Sequence, residues 1–428
     1  DTKADAKYIA SPDMDGDDEN EDIREVQHYG TIIRAYDNYR NWALRKVSKL
    51  EADYAKLSER HQRVLRTAEK LAAMRAAIDQ NAAVIAQLVE PHRSYVGSDV
   101  AHILVLADDG PGGGMRAVPA ANTNYVAESD MEKVQSTLKQ FVREWGAEGE
   151  KERNEAHEPL LEALQAALPP RGRHGPPRVL LPGAGLGRLT WEVARLGYRA
   201  QGCEFSYFML LASNFIMNKL GDGSVTVHPW VLQTCNVRSK ADAVRPATVP
   251  DTHPEGLGHE ANLSICAGDF LEIYREQRCR WEAIVTCFFI DTAHNITEYV
   301  RLIRQMLVPG CVWINIGPLL WHWSDMANEL SVELTWEELR ALILECASRS
   351  RGGHTGVTRR HVGSHGHGHG RGVTWRHVGG AACVHIEGAA RSCVGSRVWS
   401  RGSCGVTWTW TWRHMHMCHM CMCMCMHM

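Results

Sequence analysis

The sequence predicts an α/β fold in which a parallel sheet, covered by helices on both faces, follows an N-terminal helical region. Between about 22 and 90, apolar residues recur at the spacing of a helix, as in the stripe Tyr29, Ile32, Ile33, Tyr36 and Tyr39. Strand-like apolar stretches then alternate with helical or loop segments, at about 179–182, 199–204, 263–267, 283–290 and 311–316. Such alternation is typical of parallel sheets, because the crossover between parallel strands is usually a helix.

These patterns divide the chain into four segments. Residues 1–21 are acidic and poor in apolar residues, which predicts a disordered leader. A helical region covers 22–168, and a ligand-binding α/β domain covers 176–348. Within that domain, residues 221–262 show no clear pattern and exceed the length of most loops. Residues 349–428 form a repetitive tail.

The composition of the tail admits two interpretations. It holds half of the 22 histidines and half of the 14 cysteines, and it ends in HMHMCHMCMCMCMHM. Thiolate, imidazole and thioether groups bind soft metal ions, so one interpretation is a metal site. The recurrence of GVT and RHVG and the two-residue alternation favour the other, a translated simple repeat. We therefore predict a disordered tail and no metal site.

The distribution of charge and of cysteines limits the possible functions and compartments. The formal net charge is −3, but ten arginines and one glutamate give residues 349–428 a charge of +9, which leaves −12 for the rest. An acidic body argues against nucleic acid as a partner, because phosphate binding needs a basic face. The cysteines before the tail are scattered and unpaired in spacing, as is typical of reduced thiols. No apolar run is long enough to cross a membrane. We expect a cytoplasmic protein, with the nucleus as the alternative.

The turn GAGLG at 183–187 lies between an apolar stretch and a helical pattern. Glycines let the backbone turn sharply and let a nucleotide approach without a Cβ in the way. By itself the signal is weak, because any tight strand-to-helix turn can use glycine. Glu204 ends the next apolar stretch about 20 residues on, where a carboxylate can accept hydrogen bonds from both hydroxyls of a ribose. Together they predict an adenosine-containing cofactor.

The spacing of the turn favours S-adenosyl-L-methionine over a dinucleotide. In the dinucleotide fingerprint that starts at Gly183, Arg188 occupies the place of the third glycine, and the lysine of a phosphate-binding loop is also absent. S-adenosylmethionine has no phosphate to bind. Asp269 and Phe270 in AGDF suit the amino group and ring face of adenine, although Asp269 could equally cap the helix that follows it.

Longer segments carry a family resemblance. KVQSTLKQFVREWGAEGEKER lies in a third predicted helix, at about 128–165, and the α/β domain contains VLLPGAGLGRLTWEVARLGYRAQGCEFSYFMLLASNF, AGDFLEIY, IVTCFFIDTAHNITEYV and GCVWINIGPLLWHW. Over about 22–348 the chain resembles the carnosine N-methyltransferase family. The resemblance implies a Rossmann-like class I methyltransferase sheet and S-adenosylmethionine as cofactor. It also implies methylation of an imidazole nitrogen of carnosine (β-alanyl-histidine), which gives anserine.

The resemblance implies roles for single residues as well. Gln140 and Arg143 share a helix face and would bind the methionine end of the cofactor, whereas spacing alone would fit a solvated polar face. The full set of cofactor-binding residues would be Gln140, Arg143, Gly183, Gly185, Glu204, Asp269 and Phe270. Asp291 would be the catalytic residue and, together with His322, would bind the substrate imidazole.

For Asp291 and His322 a structural alternative exists. Asp291 follows the apolar run AIVTCFFI, where it could bind a ligand at the carboxyl end of a strand or cap the next helix. His322, between Trp321 and Trp323, could be a packed histidine with satisfied nitrogens. Phe288, Phe289 and the two tryptophans are expected to be core, with one of them available to stack on the substrate ring.

The chain departs from the family pattern after Ser348. The family's sheet ends in an antiparallel strand pair, and its C-terminal part supplies a tyrosine to the substrate pocket. Here Tyr299 is the last tyrosine, and nothing after Ser348 reads as paired strands. We therefore expect the closing strands to be missing, the sheet edge to be unpaired and cofactor binding or folding to be weak. The alternative functions are a protein-histidine methyltransferase and a non-catalytic binding module, and the helices of 22–90 suggest a homodimer.

Overall fold

The computed structural model describes residues 16–93, 104–108, 115–119, 126–170, 175–254, 263–348, 374–378 and 381–385. Its α-helices are α1 (Gly16–Tyr54), α2 (Glu59–Leu65), α3 (Thr67–Val89), α4 (Glu128–Trp145), α5 (Glu150–Ala167), α6 (Arg188–Arg195), α7 (Tyr207–Asn214), α8 (Lys240–Ala243), α9 (Phe270–Tyr274), α10 (Ile296–Met306) and α11 (Trp336–Ser348). Its strands are β1 (Leu104–Asp108), β2 (Met115–Pro119), β3 (Arg178–Pro182), β4 (Arg199–Glu204), β5 (Val225–Val227), β6 (Ala247–Val249), β7 (Leu263–Ala267), β8 (Trp281–Cys287), β9 (Leu307–Ile316), β10 (Thr374–Val378) and β11 (Ala381–His385).

The chain forms two compact units. The first contains residues up to Leu138 together with Val225–Ala247, and the second contains Lys139–Ser224 and the residues from Thr248 onward. The division therefore falls inside α4, whereas the sequence led us to expect it between 168 and 176. Part of the patternless segment 221–262 belongs to the helical unit and carries β5 and α8; residues 255–262 lie outside the described residues.

The first unit is built on α1 and α3. Four of the five residues of the predicted stripe, Ile32, Ile33, Tyr36 and Tyr39, are at most 3% exposed, and Tyr29 is partly buried. Asn81 of α3 is fully buried and donates to the Tyr39 hydroxyl at 2.9 Å. The same amide exchanges two hydrogen bonds with the backbone of His228, so all its polar atoms are paired. α1 begins at Gly16, earlier than the expected start at 22. The disorder predicted for the acidic leader concerns, for 1–15, residues outside the described part of the chain.

The third predicted helix is broken in two. α4 ends at Trp145 and α5 begins at Glu150, with a 3-10 turn at Ala147–Gly149 between them. The backbones pack closely there, since a Cβ on Gly149 would collide with the carbonyl oxygens of Val142 and Arg143. Arg153 donates to the carbonyl oxygens of Arg143 at 3.0 Å and Gly146 at 2.8 Å, which satisfies acceptors at the end of α4.

The second unit contains a seven-stranded sheet in the order β10-β11-β9-β8-β3-β4-β7. All five strands expected from the sequence are present, and β9, β8, β3, β4 and β7 run parallel. The order reverses between β3 and β8: after β3 the chain adds strands on one side, and from β8 onward it adds them on the other. Ligands of open α/β sheets bind beyond the carboxyl ends of the strands at such a switch point.

Successive residues of the strands face two different cores, as expected for a sheet covered on both sides. Leu180, Ile284 and Trp313 pack with α9, α10 and α11 on one face. Val179, Leu181 and Ile314 pack with α5 and α6 on the other. The predicted α/β fold, with a parallel sheet covered on both faces, is confirmed. No helix among the described residues is long and apolar enough to span a bilayer.

The expectation that the closing strands are missing is wrong. β11 pairs antiparallel with β9, with Cys383 opposite Ile314, and β10 pairs antiparallel with β11. Two glycines, Gly379 and Gly380, separate the strands in sequence, which is the two-residue spacing of a hairpin. The repeats obscured this signal, because the whole tail was interpreted by its composition. We also predicted that the tail is disordered and is a translated simple repeat. These predictions concern mainly residues 349–373 and 386–428, which lie outside the described part of the chain.

Candidate active site

A cavity of about 300 Å³ lies at the carboxyl ends of β3 and β8, at the switch point of the sheet. Six of the residues predicted for the site line it: Gln140, Arg143, Gly183, Gly185, Asp291 and His322. The loops that follow two neighbouring strands meet here, so the glycine turn after β3 and the aspartate after β8 face one space. The sequence prediction that these groups belong to one site is consistent with this placement.

The glycine turn has a backbone that other residues rarely adopt. Gly183, Gly185 and Gly187 have φ of 71°, 55° and 84°, in the left-handed region that favours glycine. A Cβ on Gly183 would lie 2.7 Å from Cδ2 of Phe289, and one on Gly185 would collide with Oε1 of Glu144. The glycines at these positions are therefore required by the close packing of the turn, and they leave its backbone open to the cavity.

Glu204 holds the turn from the end of β4. Its Oε2 accepts the N–H of Gly185 and its Oε1 accepts the N–H of Ser206, both at 2.8 Å. Burial raises the pKa of this carboxyl, and the nearby carboxylate of Glu144 raises it further, while the backbone donors oppose the shift. Glu204 is not among the residues that line the cavity. Its contact with a ribose therefore stays a prediction, and its observed role is to shape the turn.

Glu144 holds the same turn from α4, and sequence reasoning missed it. Its Oε1 accepts the N–H of Leu186 at 2.8 Å and the side-chain amide of Gln140 at 2.7 Å, and its Oε2 accepts the N–H of Arg188 at 3.1 Å. The Leu186 N–H belongs to the glycine turn, and the Arg188 N–H opens α6, where helix geometry leaves N–H groups without intrahelical partners. Burial raises the pKa of Glu144. The available signal was its position four residues after Gln140, on the same helix face.

Arg143 is paired in this structure. Its Nε donates to Oε1 of Glu152 at 2.9 Å, and its Nη2 donates to the same oxygen. Both side chains are partly exposed and line the cavity, Arg143 from the end of α4 and Glu152 from the first turn of α5. Gln140 and Arg143 therefore do not form the solvated polar face that their spacing alone would also fit.

A layer of charged residues lies behind the turn. Arg188 donates to Oδ1 of Asp251 at 2.6 Å and to Oε1 of Glu192 at 2.8 Å, and Arg153 pairs with the other oxygen of Asp251. Nδ1 of His157 lies 2.7 Å from Oε2 of Glu192. Burial opposes ionisation of Glu192, but His157 and Arg188 outweigh it and lower its pKa. The layer alternates in sign, so each buried charge has an opposite partner.

Asp291 is 2% exposed and lies in a 3-10 turn, Ile290–Thr292, shortly after β8. Its Oδ2 accepts the N–H of Leu320 at 3.0 Å, and its carbonyl oxygen accepts the N–H of His322 at 3.0 Å. The segment after β9 is thereby fixed against Asp291. The helix-cap alternative for Asp291 is wrong, because Asn295 caps α10 by accepting the N–H of Thr297 at 3.1 Å.

The aromatic residues divide between core and cavity. Phe289 is buried and stacks on Tyr299 with ring centroids 5.1 Å apart. Phe288 lines the cavity, is 41% exposed and has a φ of 52°, a strained value for a bulky residue of the kind found at functional sites. His322 is exposed at the cavity, so it is not the packed histidine of the alternative interpretation.

The two residues predicted for adenine have structural roles in this structure. Asp269 caps α9 by accepting the N–H groups of Leu271 at 2.7 Å and Glu272 at 3.1 Å. Phe270 is buried and packs edge-on against both Phe289 and Tyr299. Neither is among the residues that line the cavity. The N–H of Gly268 donates to the Glu204 carbonyl at 2.9 Å, which keeps this segment at the same edge of the sheet as the turn.

Comparison with known proteins identifies the family. Residues 120–351, more than half of the chain, match the family model described as carnosine N-methyltransferase. The chain belongs to this family. It is 38% identical to the carnosine N-methyltransferase of Mus musculus over 340 residues, which cover 78% of this chain and 81% of the relative. It is 34% identical to the carnosine N-methyltransferase unmet of Drosophila melanogaster, over 75% of this chain and 72% of the relative.

Solved structures resemble this methyltransferase more distantly. Phosphoethanolamine N-methyltransferase 2 of Haemonchus contortus, in complex with S-adenosyl-L-methionine, is 13% identical with a TM-score of 0.31, over 54% of this chain and 46% of that chain. The glycopeptide N-methyltransferase MtfA complexed with sinefungin is 16% identical with a TM-score of 0.23, over 36% and 51%. The family assignment depends on the sequence relatives, and it confirms the resemblance and S-adenosylmethionine as the cofactor.

The cavity of this family member fits the methyl donor. The glycine turn offers backbone without a Cβ, and the amide of Gln140 and the guanidinium of Arg143 suit the charged methionine end. Burial raises the pKa of Cys287, which also lines the cavity, to about 12. Its thiol is therefore neutral at physiological pH and poorly suited to attack a methyl group.

Proposed function

We propose that this protein methylates an imidazole ring nitrogen of carnosine, with S-adenosyl-L-methionine as donor, and gives anserine. One observation carries the proposal: the glycine turn and the Asp291 carboxyl line one cavity at the switch point of the sheet. The curated relatives are named carnosine N-methyltransferases, and the match covers about four-fifths of the mouse protein. A donor above the turn and an imidazole beside Asp291 would thus share one cavity.

Cofactor binding is assigned to residues on four parts of the fold: α4, the turn after β3, the end of β4 and the start of α9. Gln140 and Arg143 of α4 bind the methionine end, and the backbone at Gly183 and Gly185 passes alongside the cofactor. Glu204 binds the ribose, with Asp269 and Phe270 beside the adenine. When bound, the cofactor supplies an electrophilic methyl group on a sulfonium centre. Glu144 and Glu204 already hold the turn in one conformation. The turn therefore loses little conformational entropy when the cofactor binds.

Asp291 acts on the substrate imidazole. A neutral imidazole has one N–H and one nitrogen with a free lone pair. Asp291 accepts the N–H, which selects the tautomer and turns the other nitrogen away from the carboxylate. As that nitrogen gains a methyl group the ring becomes cationic, and the carboxylate stabilises the developing charge. The Leu320 N–H holds one carboxylate oxygen in place, and His322 contacts the substrate from the neighbouring segment.

A substrate panel tests the proposal. The full chain is incubated with S-adenosylmethionine labelled in its methyl group and with carnosine, free histidine or a histidine-containing protein. We expect label in carnosine, with less in free histidine, which lacks the β-alanyl group, and none in the protein. Label in the protein alone would establish the protein-histidine alternative. Absence of label in every substrate, with cofactor bound, would establish a non-catalytic binding module.

A further inference from the structure

Glu152 lines the cavity but has no role in the function proposed above. It lies in the first turn of α5, nine residues after Arg143, and the break between α4 and α5 brings the two side chains together. The start of α5, which carries Glu152, is held in place by several contacts. Its neighbour Arg153 is 5% exposed and ties the start of α5 to the Arg143 and Gly146 carbonyls and to Asp251.

The charges of this pair complement the methionine end of the donor. That end is a zwitterion, with an α-ammonium and an α-carboxylate on one carbon. Arg143 suits the carboxylate, because a guanidinium forms charge-assisted hydrogen bonds with such a group. If the carboxylate simply displaced Glu152 from Arg143, two carboxylates would compete for one cation. Like charges at close range are unfavourable, so the pocket needs a second cation at that moment.

We propose that Glu152 binds the α-ammonium of S-adenosylmethionine and thereby selects donors that carry a free amino group. In this structure the Glu152 carboxylate forms an ion pair with Arg143, in the way that the donor carboxylate would. On binding, Arg143 exchanges the Glu152 carboxylate for that of the donor, and Glu152 exchanges the guanidinium for the ammonium. Each charge keeps an opposite neighbour throughout. The inference depends on the proposed cofactor site and adds a residue to it.

The test measures binding, so it does not depend on turnover. S-adenosylhomocysteine and an analogue with hydrogen in place of its α-amino group are titrated calorimetrically into the full chain, its Glu152→Gln variant and its Glu152→Ala variant. We expect loss of the amino group to weaken binding to the original chain at least about tenfold more than binding to either variant, because the ammonium has a charged partner only in the original chain.

Glu155→Gln is the matched control. Glu155 lies on the same helix and pairs only loosely with Lys151, at 4.0 Å on the surface. We expect this variant to show the same amino-group effect as the original chain. Thermal unfolding of each variant, followed by circular dichroism, verifies that the second unit is folded before the titrations are compared.

Two results would overturn the inference. If removing the amino group costs the same factor in the original chain and in Glu152→Gln, Glu152 does not contact the ammonium. If Glu152→Gln binds S-adenosylhomocysteine more tightly than the original chain, Glu152 is only a competitor for Arg143. Failure of the original chain to bind S-adenosylhomocysteine at all would be a different outcome. It would refute the proposed cofactor site, and the inference with it.

Discussion

Glu144 and Glu204 hold one glycine turn from opposite directions: Glu204 accepts the N–H of Gly185, and Glu144 accepts the N–H groups of Leu186 and Arg188. One carboxylate comes from α4 and the other from the end of β4. Placing two buried carboxyls beside each other is unfavourable, and burial raises the pKa of both. The arrangement persists because the buried N–H groups of the turn and of the start of α6 receive acceptors.

The first prediction concerns the acceptor at Glu144. Glu144→Ala leaves the buried N–H of Leu186 and that of Arg188 without the carboxylate, at about 1–3 kcal/mol for each unsatisfied group. We expect the free energy of unfolding to fall by about 2 kcal/mol or more and S-adenosylhomocysteine to bind at least about tenfold more weakly. Chemical denaturation and calorimetry measure the two effects. Glu158→Ala, at an exposed position of α5, is the control; equal behaviour of the two variants would contradict the role of Glu144.

The second prediction concerns pH. The folded-state pKa of Glu144 is raised by burial, so the folded chain binds this proton more tightly than the unfolded chain does. Its contribution to stability is therefore complete at low pH and is lost as the pH rises through the folded-state pKa. Glu144→Gln has no such proton. We expect the free energy of unfolding of the variant to improve relative to the original chain between pH 4.5 and pH 8, as measured in denaturant titrations. A relative decline would contradict the assignment.

The third prediction concerns Asp291. Asp291→Asn keeps an oxygen that can accept the Leu320 N–H but brings no charge to the methylated ring. We expect S-adenosylhomocysteine to bind as before and methyl transfer to carnosine to fall by at least about a hundredfold, since stabilisation of the developing charge is lost. Asp325→Asn, at an exposed position near the same segment, is the control and should keep full activity. Equal losses in both variants would remove Asp291 from its role.

The fourth prediction separates two roles of Asp269. Its cap of α9 can be made by serine as well, whereas a contact with the adenine amino group needs the carboxylate. We expect Asp269→Ser to unfold like the original chain and Asp269→Ala to lose about 1 kcal/mol of stability. If Asp269 also contacts adenine, Asp269→Ser binds S-adenosylhomocysteine several-fold more weakly. Unchanged affinity of Asp269→Ser would show that the residue is a cap alone.

The fifth prediction concerns the hairpin of β10 and β11. Ending the chain at Ser348 removes the strand that pairs with β9 and leaves that edge open, whereas ending it at His385 keeps the pairing. We expect the first truncation to lower Tm by about 5 °C or more relative to the second. Differential scanning calorimetry makes the comparison. Equal Tm values would show that the hairpin contributes nothing to the sheet.

The sequence predicted the elements whose signals are local. The parallel strands β3, β4, β7, β8 and β9, the glycine turn and the buried stripe of α1 each follow from periodicity or from glycine geometry, whereas β5 and β6 lie in the segment without a pattern. Glu144 and Glu152 escaped prediction because they bind groups on other elements. Glu144 accepts the N–H groups of Leu186 and Arg188, which are distant in sequence. Glu152 meets Arg143 because the helix ends before Gly146 and a new one begins at Glu150. Asp269 is an example of the opposite kind. Its local signal correctly indicated a helix cap, but a local signal does not report contacts with a bound ligand. The hairpin was missed because repetitive composition was weighed above a two-glycine spacing.

The most direct measurement is the position of the transferred methyl group. The full chain is incubated with carnosine and S-adenosylmethionine carrying a ¹³C-labelled methyl group, and the product is examined by NMR. We predict one labelled methyl resonance, on a single imidazole ring nitrogen, and a signal at least about a hundredfold weaker from Asp291→Asn. Label on the β-alanyl amino group, or on both ring nitrogens equally, would contradict the claim that Asp291 orients the imidazole against the donor.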